Sequence, residues 1–217
     1  MPEHCEVVGV MRERTGAFGQ KYAVKFHMRL PVEWNGRFLF QGGGGTNGMV
    51  GDASGGAPGQ PSALAKGFAV VSTDTGHDNA VNSDPQRQGQ VAFGHDYQAR
   101  LEYSETALDS VATTAKRIVR LYYGSAPKRS YFAGCSNGGR EGMEFAQRFP
   151  DQFDGIVAGA PAFAVPKAAV AEAYDTQVFS ALATSMGLTR PQWAARYGAD
   201  LLEFRPEAGC GCRCRGV

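Results

Sequence analysis

Gly134-Cys135-Ser136-Asn137-Gly138-Gly139 sits between two stretches of unlike pattern. Before it, Arg129-Ser130-Tyr131-Phe132-Ala133 is a short run ending in aromatic and small residues, bounded upstream by Pro127. After it, residues 140–149 carry Met143, Phe145, Ala146 and Phe149 at helical spacing, and Pro150 closes the run. A strand, a sharp turn with serine at its apex and a following helix turn the loose G-x-S-x-G pattern into a nucleophile elbow. Glycines permit a turn that side chains would obstruct, and the helix offers its first N–H groups to a developing negative charge. The alternative is a structural Gly/Ser loop.

Working outward, residues 23–30 alternate apolar and polar as a half-buried strand does, and Pro31 ends them. Asn35-Gly36 marks a turn before the apolar run Phe38-Leu39-Phe40. Gln41-Gly42-Gly43-Gly44-Gly45-Thr46-Asn47-Gly48 follows, presenting bare backbone N–H groups after a strand. Such a loop fits half of an oxyanion hole, against the alternative of a flexible surface loop. A dinucleotide loop fits poorly, because residues 49–61 bring Gly, Ser and Pro where a helix should begin.

Residues 67–73 read as a second strand running into Asp74-Thr75-Gly76-His77, and residues 78–95 as a long loop. From 98 to 123, Leu101, Leu108, Val111, Ala115, Ile118 and Tyr122 share a helical face, with Ser104 its polar member and Gly124 its stop. Residues 154–161 form another short strand closed by proline. Residues 162–203 read mostly as helix, with Tyr174, Val178, Phe179, Leu182 and Leu188 as core contacts. Strands alternating with helices predict an α/β fold, a mostly parallel sheet with helices on both faces.

Composition narrows the function classes. Lys and Arg number 22 against 21 Asp and Glu, with no basic run, which argues against nucleic-acid partners. No apolar stretch reaches the roughly 18 residues of a membrane span. Residues 1–15 are charged and lack the apolar core of a secretory signal.

Taken together, Tyr131-Phe132-Ala133-Gly134-Cys135-Ser136-Asn137-Gly138-Gly139-Arg140, Ala146-Gln147-Arg148-Phe149-Pro150 and Phe153-Asp154-Gly155-Ile156-Val157-Ala158-Gly159-Ala160-Pro161 resemble the tannase and feruloyl esterase family. The four-glycine run, Asp74-Thr75-Gly76-His77 and Leu121-Tyr122-Tyr123-Gly124 match in order and spacing, so the resemblance spans about residues 5 to 185. It implies an α/β-hydrolase fold with a separate lid domain. It further implies hydrolysis of small-molecule esters of aromatic acids, of the galloyl, feruloyl or terephthalate type. On this chain Ser136 would be the nucleophile, and the backbone N–H groups of Asn137 and of Gly43 or Gly44 the oxyanion hole. Cys135 matches the cysteine that in the family bonds to a cysteine beside the catalytic histidine. Cys5 matches one half of an N-terminal disulfide, its partner expected upstream of Met1. Such disulfides imply a secreted or periplasmic protein.

The departures from the family pattern lie downstream. This fold places acid and base after the serine, yet His4, His27, His77 and His95 all precede Ser136. Asp151 and Asp154 stand at the start of the next strand rather than in an acid loop, and Asp175 and Asp200 match no acid position. Family members carry a calcium-binding lid where this chain ends Arg-Pro-Glu-Ala-Gly-Cys-Gly-Cys-Arg-Cys-Arg-Gly-Val. That terminus reads as a frameshifted end, a polar tail or a Cys-rich metal tail; the spacing C-x-C-x-C lacks the paired pattern of zinc modules. The expected organisation is thus a partial α/β-hydrolase catalytic domain over 1–190, truncated before the lid and the acid and base loops. Residues 191–217 are expected to begin the lid or form an aberrant tail. No cofactor or metal is expected in this chain itself. A carboxylic ester hydrolase is the leading function, the chain alone being an inactive fragment. The alternatives are a non-catalytic module binding aromatic esters, or another α/β-hydrolase such as a peptidase or acyltransferase.

Overall fold

The computed structural model describes residues 1–56, 59–189 and 191–196. These fall into two compact units, the first spanning Met1–Phe163 and the second beginning at Ala164. The terminal Cys-x-Cys-x-Cys stretch and Asp200 lie outside the described residues.

The first unit is a six-stranded sheet of β1 (His4–Thr15), β2 (Lys21–Pro31), β3 (Arg37–Gln41), β4 (Ala69–Thr73), β5 (Arg129–Cys135) and β6 (Gly155–Gly159), in the spatial order β1-β2-β4-β3-β5-β6. The three pairings from β4 through β3 and β5 to β6 are parallel, whereas β1 with β2 and β2 with β4 are antiparallel. β1 escapes a sequence reading because it carries Glu6, Arg12, Glu13 and Arg14 among its valines. It is nonetheless a twelve-residue strand whose burial alternates, paired with β2 from His4 opposite Pro31 to Thr15 opposite Lys21.

Helices α1 (Asn79–Asn82), α2 (Tyr97–Leu101), α3 (Ala107–Tyr123) and α4 (Asn137–Arg148) complete this unit. A π-helical turn, Glu102–Thr106, joins α2 to α3, so the expected single helix over 98–123 contains a bulge. Helices α3 and α4 cover the same sheet face. The pleat decides which residues meet them: Phe38, Phe40 and Phe132 point into the cluster with Leu108, Val111, Ala115 and Phe145. Their strand neighbours Leu39, Tyr131 and Ala133 point the other way, toward Leu64 and Ala53. Leu64 sits on a one-turn 3-10 helix, Leu64–Lys66, within the long β3–β4 connection.

Some expected core positions are exposed. On α3, Tyr122 lies outside the core, which takes Ala112 and Val119 instead, and on α4 Met143 faces out. The second unit is built on α5 (Val165–Ser185), where Tyr174, Val178 and Leu182 are exposed. Phe179 meets Trp193 with ring centroids 5.0 Å apart.

Beneath the elbow lies a four-ring cluster drawn from three elements and a loop. Phe40 of β3 stands 5.5 Å from Phe145 of α4, Phe132 of β5 stands 5.2 Å from it, and Phe153 meets it edge-on at 4.7 Å. Edge-to-face rings at these separations add to the gain from burial. Phe145 is fully buried, so Phe145→Ala is expected to cost about 3–5 kcal/mol, read from the urea midpoint of unfolding. A loss below about 1 kcal/mol would contradict the central place given to this ring.

Candidate active site

Ser136 stands between the last residue of β5 and the first of α4 with φ 59° and ψ −118°. A non-glycine residue held there is strained by about 1–3 kcal/mol, and the surroundings enforce it. Its N–H donates to the Gly159 carbonyl at 3.0 Å, and its own carbonyl accepts from Arg140 and Ala162, each at 3.1 Å. The side chain is exposed at the apex.

The glycines around it are required by close approach. A Cβ on Gly134 would lie 2.5 Å from the Gly138 carbonyl carbon, and one on Gly139 2.3 Å from the Gly159 oxygen. The glycine run is packed against the same backbone: a Cβ on Gly42 would be 2.9 Å from the Gly134 Cα, and one on Gly138 2.6 Å from the Gly43 oxygen. Gly42 N–H donates to the Ala133 carbonyl at 2.9 Å, extending the β3–β5 ladder by one rung. The fold therefore brings the loop at 42–45 and the serine turn together.

A buried polar network joins them. Asn137, the first residue of α4, accepts at Oδ1 from the Tyr103 hydroxyl and from Arg140 Nε, both at 2.7 Å. Its Nδ2 donates to Asn47 Oδ1 at 2.5 Å and to Glu141 Oε1 at 3.2 Å. Asn47 Nδ2 donates to the same Glu141 oxygen at 2.7 Å, and Gly43 N–H donates to Glu141 Oε2 at 3.0 Å. Arg140 lies 4.4 Å over the Tyr103 ring and donates to the Tyr103 and Ser104 carbonyls in the π turn. The helix bulge is thereby tied to the elbow. Burial pushes the Glu141 carboxyl up, and the Gly43 and Asn47 donors pull it partly back.

The two candidate oxyanion glycines are consequently unlike. The Gly43 amide is taken by Glu141. The Gly44 amide donates to none of the described residues, and space is open where its Cβ would be. The Asn137 N–H, at the first turn of α4, has no intrahelical acceptor. Glu141 went unread in the sequence, although Asn137, Glu141 and Phe145 fall at i, i+4 and i+8 on the face that Phe145 buries.

The Asp74–His77 motif follows β4 and braces the other end of the loop. The Asp74 carbonyl accepts from Gly48 N–H at 3.0 Å. Its Oδ1 accepts from Lys25 N–H and Gly76 N–H, each at 2.9 Å. His77 is buried flat against Phe93, ring centroids 3.8 Å apart, and does not hydrogen-bond Ser136. Burial pulls its imidazole down to about 4, with Asp78 and the Thr46 backbone offsetting only part of the loss.

The tannase and feruloyl esterase family matches residues 5–187. The chain belongs to that family. It is 50% identical over 188 residues to a mono(2-hydroxyethyl) terephthalate hydrolase from Piscinibacter sakaiensis, covering 86% of this chain and 31% of that protein. It is 38% identical over 151 residues to a probable feruloyl esterase from Arthroderma benhamiae, covering 68% of this chain and 26% of the relative. Crystal structures of an esterase and of feruloyl esterase B, both from Aspergillus oryzae, superpose with TM-scores of 0.57 and 0.55 at 28% and 27% identity. Each superposition covers 73% of this chain, and 28% and 34% of the respective structures. The esterase-family chain thus has the α/β-hydrolase fold and spans less than a third of the length of these two curated relatives.

Among its described residues, no three or more His, Cys, Asp or Glu side chains gather to hold a metal ion. No helix among them is long and apolar enough to cross a membrane.

In this family member burial raises the Asp74 carboxyl from the ordinary 3.8 to about 7, against the pull of the Gly76 and Lys25 N–H groups. At Asp74 the folded state therefore holds a proton that the unfolded chain has lost across that window. The Asp74 contribution is fully present below about 4 and is lost as pH rises through about 7. His77 acts oppositely, its lowered value making stability rise from about 4 to 6.5. Asp74→Asn keeps an oxygen acceptor and removes only the titration of this carboxyl. Its stability relative to the wild type is expected to climb between pH 4 and 7 and then level, as read from urea unfolding at each pH. A difference independent of pH would sink this account.

Proposed function

We propose that the protein carrying this chain is a serine carboxylesterase for esters of aromatic acids, with Ser136 as nucleophile. The observation that carries the reading is the Ser136 backbone at φ 59°, held at a strand–helix junction against a glycine loop. Family membership supports the same reaction class, and the relatives named for terephthalate and feruloyl esters support an aromatic acyl group.

In this reading Ser136 Oγ attacks the ester carbonyl carbon and its proton passes to a base. The C=O π pair moves onto oxygen, which accepts hydrogen bonds from the N–H groups of Gly44 and Asn137. Gly43 is the weaker candidate, because its N–H is already committed to Glu141. Collapse of the tetrahedral intermediate breaks the bond to the alcohol oxygen, which leaves with a proton, and water then releases the acid from the acyl-serine. Among the described residues, none of His4, His27, His77 and His95 hydrogen-bonds the Ser136 hydroxyl, which supports a base supplied from elsewhere.

Oxyanion stabilisation without a base retains only about 10³–10⁴-fold over water. The chain by itself is therefore expected to acylate slowly and to stall. Incubation with the p-nitrophenyl ester of an aromatic acid should leave an acyl group on the Ser136 peptide by mass spectrometry. It should be absent from Ser136→Ala, with steady-state hydrolysis equal in the two. No label at Ser136 would defeat the nucleophile assignment, and Ser136-dependent multiple turnover would defeat the stalled step.

A further inference from the structure

We propose that Glu141 is a positioning residue, which holds the Gly43–Gly44 backbone and Asn137 in one fixed relation so that their amides converge; this rests on the esterase reading above. Other contacts fix the two ends of the glycine loop. Its first residue is held by Gly42 N–H on the Ala133 carbonyl, and its far end by Gly48 N–H on the Asp74 carbonyl. Between these anchors, packing supplies little at the tip, because Gly44 and Gly45 each have open space where a Cβ would be. Glycine is also the residue with most backbone freedom to lose. Within residues 43–45, the tether that comes from outside the loop among the described residues is the Gly43 N–H bond to Glu141 Oε2, at 3.0 Å.

The other carboxylate oxygen binds the serine side of the site. Glu141 Oε1 accepts from Asn137 Nδ2 at 3.2 Å and from Asn47 Nδ2 at 2.7 Å. A single carboxylate thus references the glycine run and the residue that follows the nucleophile to each other. It does so from a fully buried position on α4, where its geometry is not shared with solvent. All three of these partners are N–H donors, so the site demands an acceptor on both oxygens. A glutamine of the same shape would turn its NH2 toward either Gly43 N–H or the two amide donors, setting donor against donor. Leaving a buried donor unpaired in this way is costly, and the loop would be released.

Two measurements test this. In the wild-type chain, NMR should show a through-hydrogen-bond coupling between the Gly43 amide nitrogen and the Glu141 carboxyl carbon. Its absence would overturn the proposal even if the variant fails to fold. In Glu141→Gln, hydrogen exchange at Gly43 and Gly44 should speed by about tenfold or more, while amides in β2 and α3 stay within about threefold. Unchanged exchange at Gly43, or equal loosening everywhere, would overturn it. Acylation of Ser136 by the same p-nitrophenyl ester should fall about tenfold at saturating ester with little change in the half-saturating concentration. A wild-type chain that never labels at Ser136 defeats the esterase reading. A Glu141→Gln chain that labels as fast as a labelling wild type defeats the role of Glu141.

Discussion

The backbone at Ser136 constrains everything around it. A serine at φ 59° reverses the chain so sharply that β5 and α4 leave no room for a side chain at Gly134, while the glycine run crowds Gly138 and the end of β6 crowds Gly139. The strain is local, and the packing that opposes it is not. Phe132 on the strand and Phe145 on the helix are locked to Phe40 and Phe153, so relaxing the turn would pull apart the centre of the core. The hydrogen bonds from Ser136 N–H to Gly159 and from Ala162 N–H to Ser136 tie the same turn to β6. Ser136 is thereby left exposed while its backbone is tied to β6 and to the first turn of α4.

The polar side of the site follows a different logic. Burying Glu141 and Asn137 would be unfavourable if either had unmet partners, since an unpaired buried polar group costs more than a made hydrogen bond returns. Here both Glu141 oxygens have donors, and both polar ends of Asn137 have partners. The π turn before α3 contributes to this closure by offering the Tyr103 and Ser104 carbonyls to Arg140. The Ser104 hydroxyl itself donates to the Leu101 carbonyl at 3.1 Å, and it is the Ser104 backbone carbonyl that supports the elbow.

Legibility in the sequence followed locality. The elbow, the glycine run and the α3 face could be read because each signal is a short spacing of residue types. β1 could not, because its pairing with β2 selects one face of a strand whose other face is charged. The exposure of Tyr174, Val178 and Leu182 on α5 was equally hidden, since apolar spacing predicts a buried face only where another element lies on it. Glu141 was passed over because a charged residue on an apolar stripe has no partner visible along the chain.

The sequence by itself determined the family, the strand–turn–helix around Ser136 and the glycine-rich backbone that meets it, since these depend on residues within a few positions of one another. Tertiary structure alone decided which glycine amide is left open, that His77 is stacked on Phe93, and that one carboxylate ties loop to helix. Those outcomes depend on groups about a hundred residues apart, Gly43 and Glu141 being separated by 98. Whether such groups meet is set by the order in which β3 and β5 pair, and a linear pattern of residue types does not contain that order.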